Sequence, residues 1–263
     1  MHTVTANGAT IPALGFGTFR MPGPDVLRIV PHALKAGFRN VDTAQIYGNE
    51  AEVGEAIANS GVARGHIFLN TKVWIENYGH DALIKSVDES LKKLKIDFSD
   101  LLLLHWPNDA VSLAEQIGAL NEVKEAGKVR HIGISNFNTA LIAEAAELSK
   151  APIVTNQIEY HPYIDQSTVI EAAKNAGMAV TGYYGMADGK VFTDPILRDI
   201  VALPRKWLPS MVFPVPMAVS FHPMALRPYG TRIHNWRREG RRIPSPPLES
   251  SNPCMHSPTR GEC

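Results

Sequence analysis

Along the first 200 positions, short apolar runs alternate with longer stretches in which apolar residues recur every three or four places. A short run bounded by Gly, Asn, Asp or Pro predicts a strand, and recurrence at helical spacing predicts an amphipathic helix. Strands are expected at residues 13–16, 40–41, 67–70, 101–104, 130–134, 153–156 and 179–181. Helices are expected between them at 25–36, 50–59, 82–94, 113–125, 140–148 and 166–175. Ahead of this repeat, residues 3–6 and 9–11 flank Asn7-Gly8, a pair that tolerates the positive φ angles of a type I′ hairpin turn.

The strands lack polar alternation, as strands do when both faces are buried in a parallel sheet covered by helices. Strand-helix alternation then leaves a doubly wound sheet or a closed (β/α)8 barrel. The first strand leads into Gly15-Phe16-Gly17-Thr18, without the third glycine or the strand-to-helix context of a dinucleotide fingerprint. The strand ends argue for the barrel: Asp42, Lys72, His105-Trp106, Ser135-Asn136, Gln157 and Tyr183 follow six consecutive strands. In a barrel these ends form one ring at the face where such enzymes carry their sites. Alone, Lys72 would read as a snorkelling rim lysine and His105 as a satisfied core histidine. Six together are hard to ascribe to packing, which favours Val or Ile there. The expected fold is an α/β (β/α)8 TIM barrel.

The chain has 263 residues and no formal net charge, so charge alone points to neither nucleic acid nor an anionic membrane. Both cysteines, Cys254 and Cys263, lie near the end, leaving residues 1–200 without a thiol for a disulfide, a metal or a nucleophile. The amino terminus shows no basic segment followed by an apolar run, and the more apolar stretch 208–226 contains Pro209, Pro214, Pro216 and Pro223. A cytoplasmic protein without a membrane span is expected, and a monomer.

The ring narrows the chemistry. A phenol with a pKa of about 10 gives up its proton reluctantly unless a cation stabilises the anion. Lys72 can provide the cation and Asp42 its counter-charge, making Tyr47 a usable general acid. His105 offers a hydrogen bond to a carbonyl oxygen. Hydrolytic triads, His-rich metal spacings and Cys nucleophiles are missing from the motifs, so no metal is expected. An acid that protonates a carbonyl oxygen needs a hydride at carbon, which no side chain supplies, so a nicotinamide is implied. Tyr183 offers a face for stacking, Ser135, Asn136 and Gln157 offer partners for a carboxamide, and Trp74 and Trp106 can wall an apolar pocket or be ordinary core aromatics.

The stretches GFGTFR, VDTAQIYGNE, TKVW, LLLLHWP, GISNF and NQIEYHPY stand in the order and spacing of the aldo-keto reductases. The chain resembles that family over about residues 2–200, and within it most resembles the bacterial 2,5-diketo-D-gluconic acid reductases of the B type. The resemblance implies an NADPH-dependent reductase of aldehydes and ketones, 2,5-diketo-D-gluconate among them, on a (β/α)8 barrel. By match to the motifs, Tyr47 is the proton donor, Lys72 and Asp42 tune it, and His105 orients the substrate. Thr18, Asp42, Ser135, Asn136, Gln157 and Tyr183 contact the cofactor, and Trp74 and Trp106 the substrate. The alternative is a non-catalytic barrel acting as a binding or regulatory subunit.

The resemblance stops near residue 200. Residues 201–263 hold 11 of the 19 prolines, eight arginines and one lysine against three glutamates, and no periodic apolar pattern. The expected organisation is a barrel over 1–200 and a Pro/Arg-rich, disordered tail over 201–263, with the eighth strand and closing helices missing. Such a barrel would expose two sheet edges and be poorly active. A shifted reading frame accounts for so abrupt a change and is testable on the coding DNA; the rival is a genuine basic appendage for nucleic acid or an acidic partner.

Overall fold

The computed structural model describes residues 2–202 and 217–221. A hairpin, β1 (Thr3–Ala6) and β2 (Ala9–Pro12), opens the chain, with Asn7 and Gly8 both at positive φ as the type I′ turn requires. The repeat follows as β3 (Leu14–Gly17), α1 (Gly23–Lys35), β4 (Asn40–Asp42), α2 (Glu50–Ala58), β5 (Phe68–Val73) and α3 (His80–Leu94). It continues with β6 (Ser99–Leu104), α4 (Leu113–Glu125), β7 (Val129–Ser135), α5 (Thr139–Leu148), β8 (Ile153–Glu159), α6 (Ser167–Asn175) and β9 (Ala179–Tyr183). Two short helices, α7 (Lys190–Thr193) and α8 (Pro195–Ala202), and one further strand, β10 (Met217–Phe221), complete the described α-helices and strands.

Strands β3 to β9 pair in sequence, each parallel to the next, and curl into a barrel. The parallel α/β barrel is the fold expected from the alternation. The gap expected at its seam is not there. β10 lies parallel between β9 and β3, with Val219 opposite both Gly182 and Leu14, so the ring closes. The segment Met-Ala-Val-Ser-Phe is a proline-free window between Pro216 and Pro223, long enough to occupy two strand edges that would otherwise leave their backbone groups unpaired. Apart from residues 201–202 and 217–221, the disorder expected of 201–263 and the closing helices expected to be missing lie outside the described residues.

Local signals set the helix starts. Ser112 accepts a hydrogen bond from the Glu115 backbone at the start of α4, and Asn138 accepts one from Leu141 at the start of α5. The helices bury their apolar stripes on the outer face of the sheet in two clusters, one centred on Leu102, Leu104, Ile132 and Ile134, the other on Val41, Leu69 and Val53. A smaller cluster joins Ala9 and Ile11 of the hairpin to Leu101, Leu103 and Val154. Asn7 fastens the hairpin by donating to the Ile153 carbonyl at 2.7 Å. With that end plugged, the carboxyl ends of the strands are left to form the site.

Candidate active site

The carboxyl end of β4 carries Asp42, and β5 runs past it to place Lys72, fully buried, against it. Lys72 Nζ donates to Asp42 Oδ1 at 2.6 Å, to the Thr43 carbonyl at 2.9 Å and to Tyr47 Oη at 3.2 Å. Tyr47 ends a 3₁₀ turn, Gln45–Tyr47, closed by Gly48 at φ 67°, a conformation glycine adopts without steric cost. This turn brings the phenol back over the strand ends, where its ring meets the His105 ring edge-on at 5.7 Å. His105, just beyond β6, also meets Trp74 edge-on at 5.3 Å. The four residues expected to cooperate therefore share one rim.

Burial pushes the Tyr47 phenol above its ordinary value, and the nearby Lys72 charge opposes that rise without overcoming it. Lys72 does ease ionisation of the phenol, as expected from the sequence, but burial outweighs it. Lys72 is itself held above the usual lysine range: burial disfavours its charge, but Asp42 and Tyr47 together outweigh burial. Burial, reinforced by Lys72, drops His105 to about 3. At neutral pH the site thus holds a protonated phenol, a charged ammonium and a neutral imidazole. His105 Nδ1 is buried without a partner, so the proton of the neutral ring is better placed on Nε2.

A cavity of about 610 Å³ opens over this group. One part of its lining is polar: Asp42, Ser135, Asn136 and Gln157, with Tyr183 beside them. Asn136 turns at φ 64°, a left-handed conformation that asparagine tolerates, and its amide donates to the His105 carbonyl and Ser135 Oγ while accepting from Tyr183 Oη. Gln157 Nε2 donates to Asp42 Oδ2 at 2.7 Å, and Ser135 Oγ donates to the Gln157 carbonyl at 2.9 Å. Burial, with Glu159 and Tyr47 adding to it, raises the Tyr183 phenol to about 12. Another part is aromatic and apolar: Phe19, Ile46, Trp74 and Trp106, the last 44% exposed.

Thr18 is placed differently from the rest. It is wholly buried, does not line the cavity, and donates its hydroxyl to the Asp42 carbonyl at 3.0 Å. Lys72 likewise acts from behind Asp42 and Tyr47 rather than from the wall. The cavity also takes in residues the sequence argument passed over: Phe19, whose ring sits 5.0 Å from Tyr47, Arg20, Ile46, and Tyr184 to Gly189 after β9. Arg20 and Asp188 meet at 3.4 Å, an exposed pair of little energetic weight. Phe19, Arg20 and Ile46 stand inside the motif stretches already singled out, so their loop positions were the available signal; the 184–189 segment offered none.

The family model described as the aldo/keto reductase family matches residues 13–202. Methylglyoxal reductase DkgB of Salmonella typhimurium is 50% identical over 196 residues, 73% of each chain. A crystal structure of a candidate 2,5-diketo-D-gluconic acid reductase B superposes with a TM-score of 0.80 at 60% identity, covering 85% of this chain and 82% of that one. The Bombyx mori aldo-keto reductase crystallised with NADP superposes at 0.66 with 34% identity, covering 70% of this chain and 66% of its own. Among the described residues, no helix is long and apolar enough to cross a membrane.

Proposed function

We propose that this chain, which belongs to the aldo/keto reductase family, reduces small dicarbonyls with NADPH, using Tyr47 as the proton donor. The observation that carries this reading is the Asp42–Lys72–Tyr47 chain, with contacts of 2.6 and 3.2 Å, beneath a cavity walled by Phe19, Trp74 and Trp106. Two similar proteins suggest the substrate class, one named a methylglyoxal reductase and the other a 2,5-diketo-D-gluconic acid reductase B.

The residues present fit a nicotinamide. Ser135, Asn136 and Gln157 set hydroxyl and amide groups at one edge of the cavity, and Tyr183 adds a flat ring beside them. When bound, the reduced cofactor supplies the hydride that the side chains cannot. His105 Nε2 donates to the carbonyl oxygen and fixes its position. Tyr47 holds its proton until charge builds on that oxygen, because burial keeps the phenol protonated at neutral pH. As the proton leaves, Lys72 Nζ stabilises the phenolate, and Asp42 keeps Lys72 charged. The aromatic walls exclude water and favour a compact substrate.

The test is the variant Tyr47→Phe with NADPH and methylglyoxal. It should lower kcat by about a hundredfold or more while leaving NADPH affinity, followed by quenching of tryptophan fluorescence, unchanged. Turnover retained within about tenfold of the unsubstituted chain would remove Tyr47 from the role of donor.

A further inference from the structure

The turn that presents Tyr47 also carries Gln45, whose side chain is absent from the cavity lining and instead bonds elsewhere. Its Oε1 accepts from the Trp74 backbone N–H at 2.9 Å and from Asn77 Nδ2 at 3.0 Å. These are the two ends of the short turn after β5, since Trp74 precedes and Asn77 ends the 3₁₀ segment Ile75–Asn77. Its Nε2 donates into α3, to the Ser86 carbonyl, Ser86 Oγ and Ser90 Oγ at 3.0 to 3.2 Å. Ser90 passes the connection on to Glu50 Oε2, and Thr71, next to Lys72, holds the other Glu50 oxygen at 2.7 Å. One amide therefore ties the Tyr47 turn, the Trp74 turn and helix α3 together.

The sheet itself does not hold Trp74. The β5–β6 register ends at Val73, opposite Leu104, so the next N–H has left the ladder and finds its acceptor in Gln45. The Trp74 ring rests against His105, the residue that faces the carbonyl in the proposed reaction. A shift of this backbone moves one wall of the pocket without touching Tyr47, Lys72 or Asp42.

We propose that Gln45 is a positioning residue that determines specificity: it pins Trp74 against His105 and so sets the width of the carbonyl pocket. This rests on the reductase reading above. Without the clamp the pocket loosens, small dicarbonyls lose a wall, and bulkier ones are admitted. The effect belongs in KM more than in kcat, because Tyr47 keeps holds of its own, from Lys72 Nζ on its hydroxyl and from the Phe19 and His105 rings on its ring.

The experiment compares the full chain with Gln45→Met, which removes both acceptor and donors at similar volume, and Gln45→Glu, which keeps the acceptor for Trp74. Steady-state kinetics with methylglyoxal and phenylglyoxal are measured alongside amide hydrogen exchange of the peptide containing Trp74. Gln45→Met should raise KM for methylglyoxal and cut the preference for it over phenylglyoxal by about tenfold, with kcat and NADPH affinity little changed and Trp74 exchange faster. Gln45→Glu should restore most of the preference. Turnover by the unsubstituted chain, with unchanged selectivity and Trp74 exchange in Gln45→Met, overturns the role of Gln45 alone. So does a Gln45→Glu variant as impaired as Gln45→Met, or a loss confined to kcat. No turnover of either dicarbonyl by the unsubstituted chain sinks the reductase reading, and the specificity role with it.

Discussion

Gln157 Nε2 lies 2.7 Å from Asp42 Oδ2, joining β8 to β4 across 115 residues of chain, with both side chains buried. The other Asp42 oxygen is taken by Lys72 at 2.6 Å. Sequence reasoning assigns Gln157 to the carboxamide of a nicotinamide, and the fold gives its amide a further partner: the carboxylate that neutralises Lys72.

Replacing Gln157 by Glu sets two carboxylates together in a dry site, so one must take up a proton to fold. The folded protein then binds more protons than the unfolded chain above the ordinary carboxylate range. Gln157→Glu should accordingly be less stable than the unsubstituted chain at pH 7 and recover as the pH falls toward 5. Urea denaturation at a series of pH values reads this out, and a deficit independent of pH would show that the two groups do not face each other.

His105 is lowered to about 3 from 6.5. Between those values the unfolded chain binds a proton that the folded one does not, so this histidine's contribution is complete above pH 6.5 and is lost as pH falls toward 3. The slope is at most about 1.4 kcal/mol per pH unit. Buried Glu50, raised above the carboxylate range by burial, contributes with the opposite sign, and comparison with His105→Gln cancels it. The unsubstituted chain should lose stability faster than His105→Gln as pH drops from 6.5 to 4.5. Parallel stability curves for the two proteins would contradict the buried, neutral ring.

Helix α2 crosses α3 where Gly54 meets Leu94 so closely that a methyl group would lie 2.4 Å from the Leu94 carbonyl oxygen. That contact is backbone and cannot swing aside. Gly54→Ala should cost about 1–3 kcal/mol from overpacking and shift the register of the helix that anchors Gln45. Gly118, on the exposed side of α4 with open space around it, is the control: alanine there should be neutral or stabilising by up to about 1 kcal/mol. Thermal melts of the two variants separate packing from helix propensity, and equal Tm values would contradict the tight crossing.

Much of this molecule was legible along the chain because its signals are local. Period and turn chemistry place the hairpin at Asn7-Gly8 and the strand-helix repeat, and an Asp or Ser-Asn pair at the end of an apolar run marks the rim wherever the strand goes. Met217–Phe221 carries no such signal, because five residues between prolines have no period of their own; only the open edges of β9 and β3 give them a partner.

The sequence by itself determined which chemical groups stand at the strand ends, since that depends on residue order and a twofold or 3.6-fold period. Tertiary structure alone decided their neighbours and their charge states. Thr18 turned inward to brace Asp42, Gln157 reached Asp42 across the ring, Gln45 captured Trp74, and burial lifted Tyr47 despite the adjacent Lys72. The reason is that hydrogen-bond pairing and desolvation depend on which distant segments are brought together and how much water they exclude, and neither distance nor dielectric is written in the order of residues along a chain.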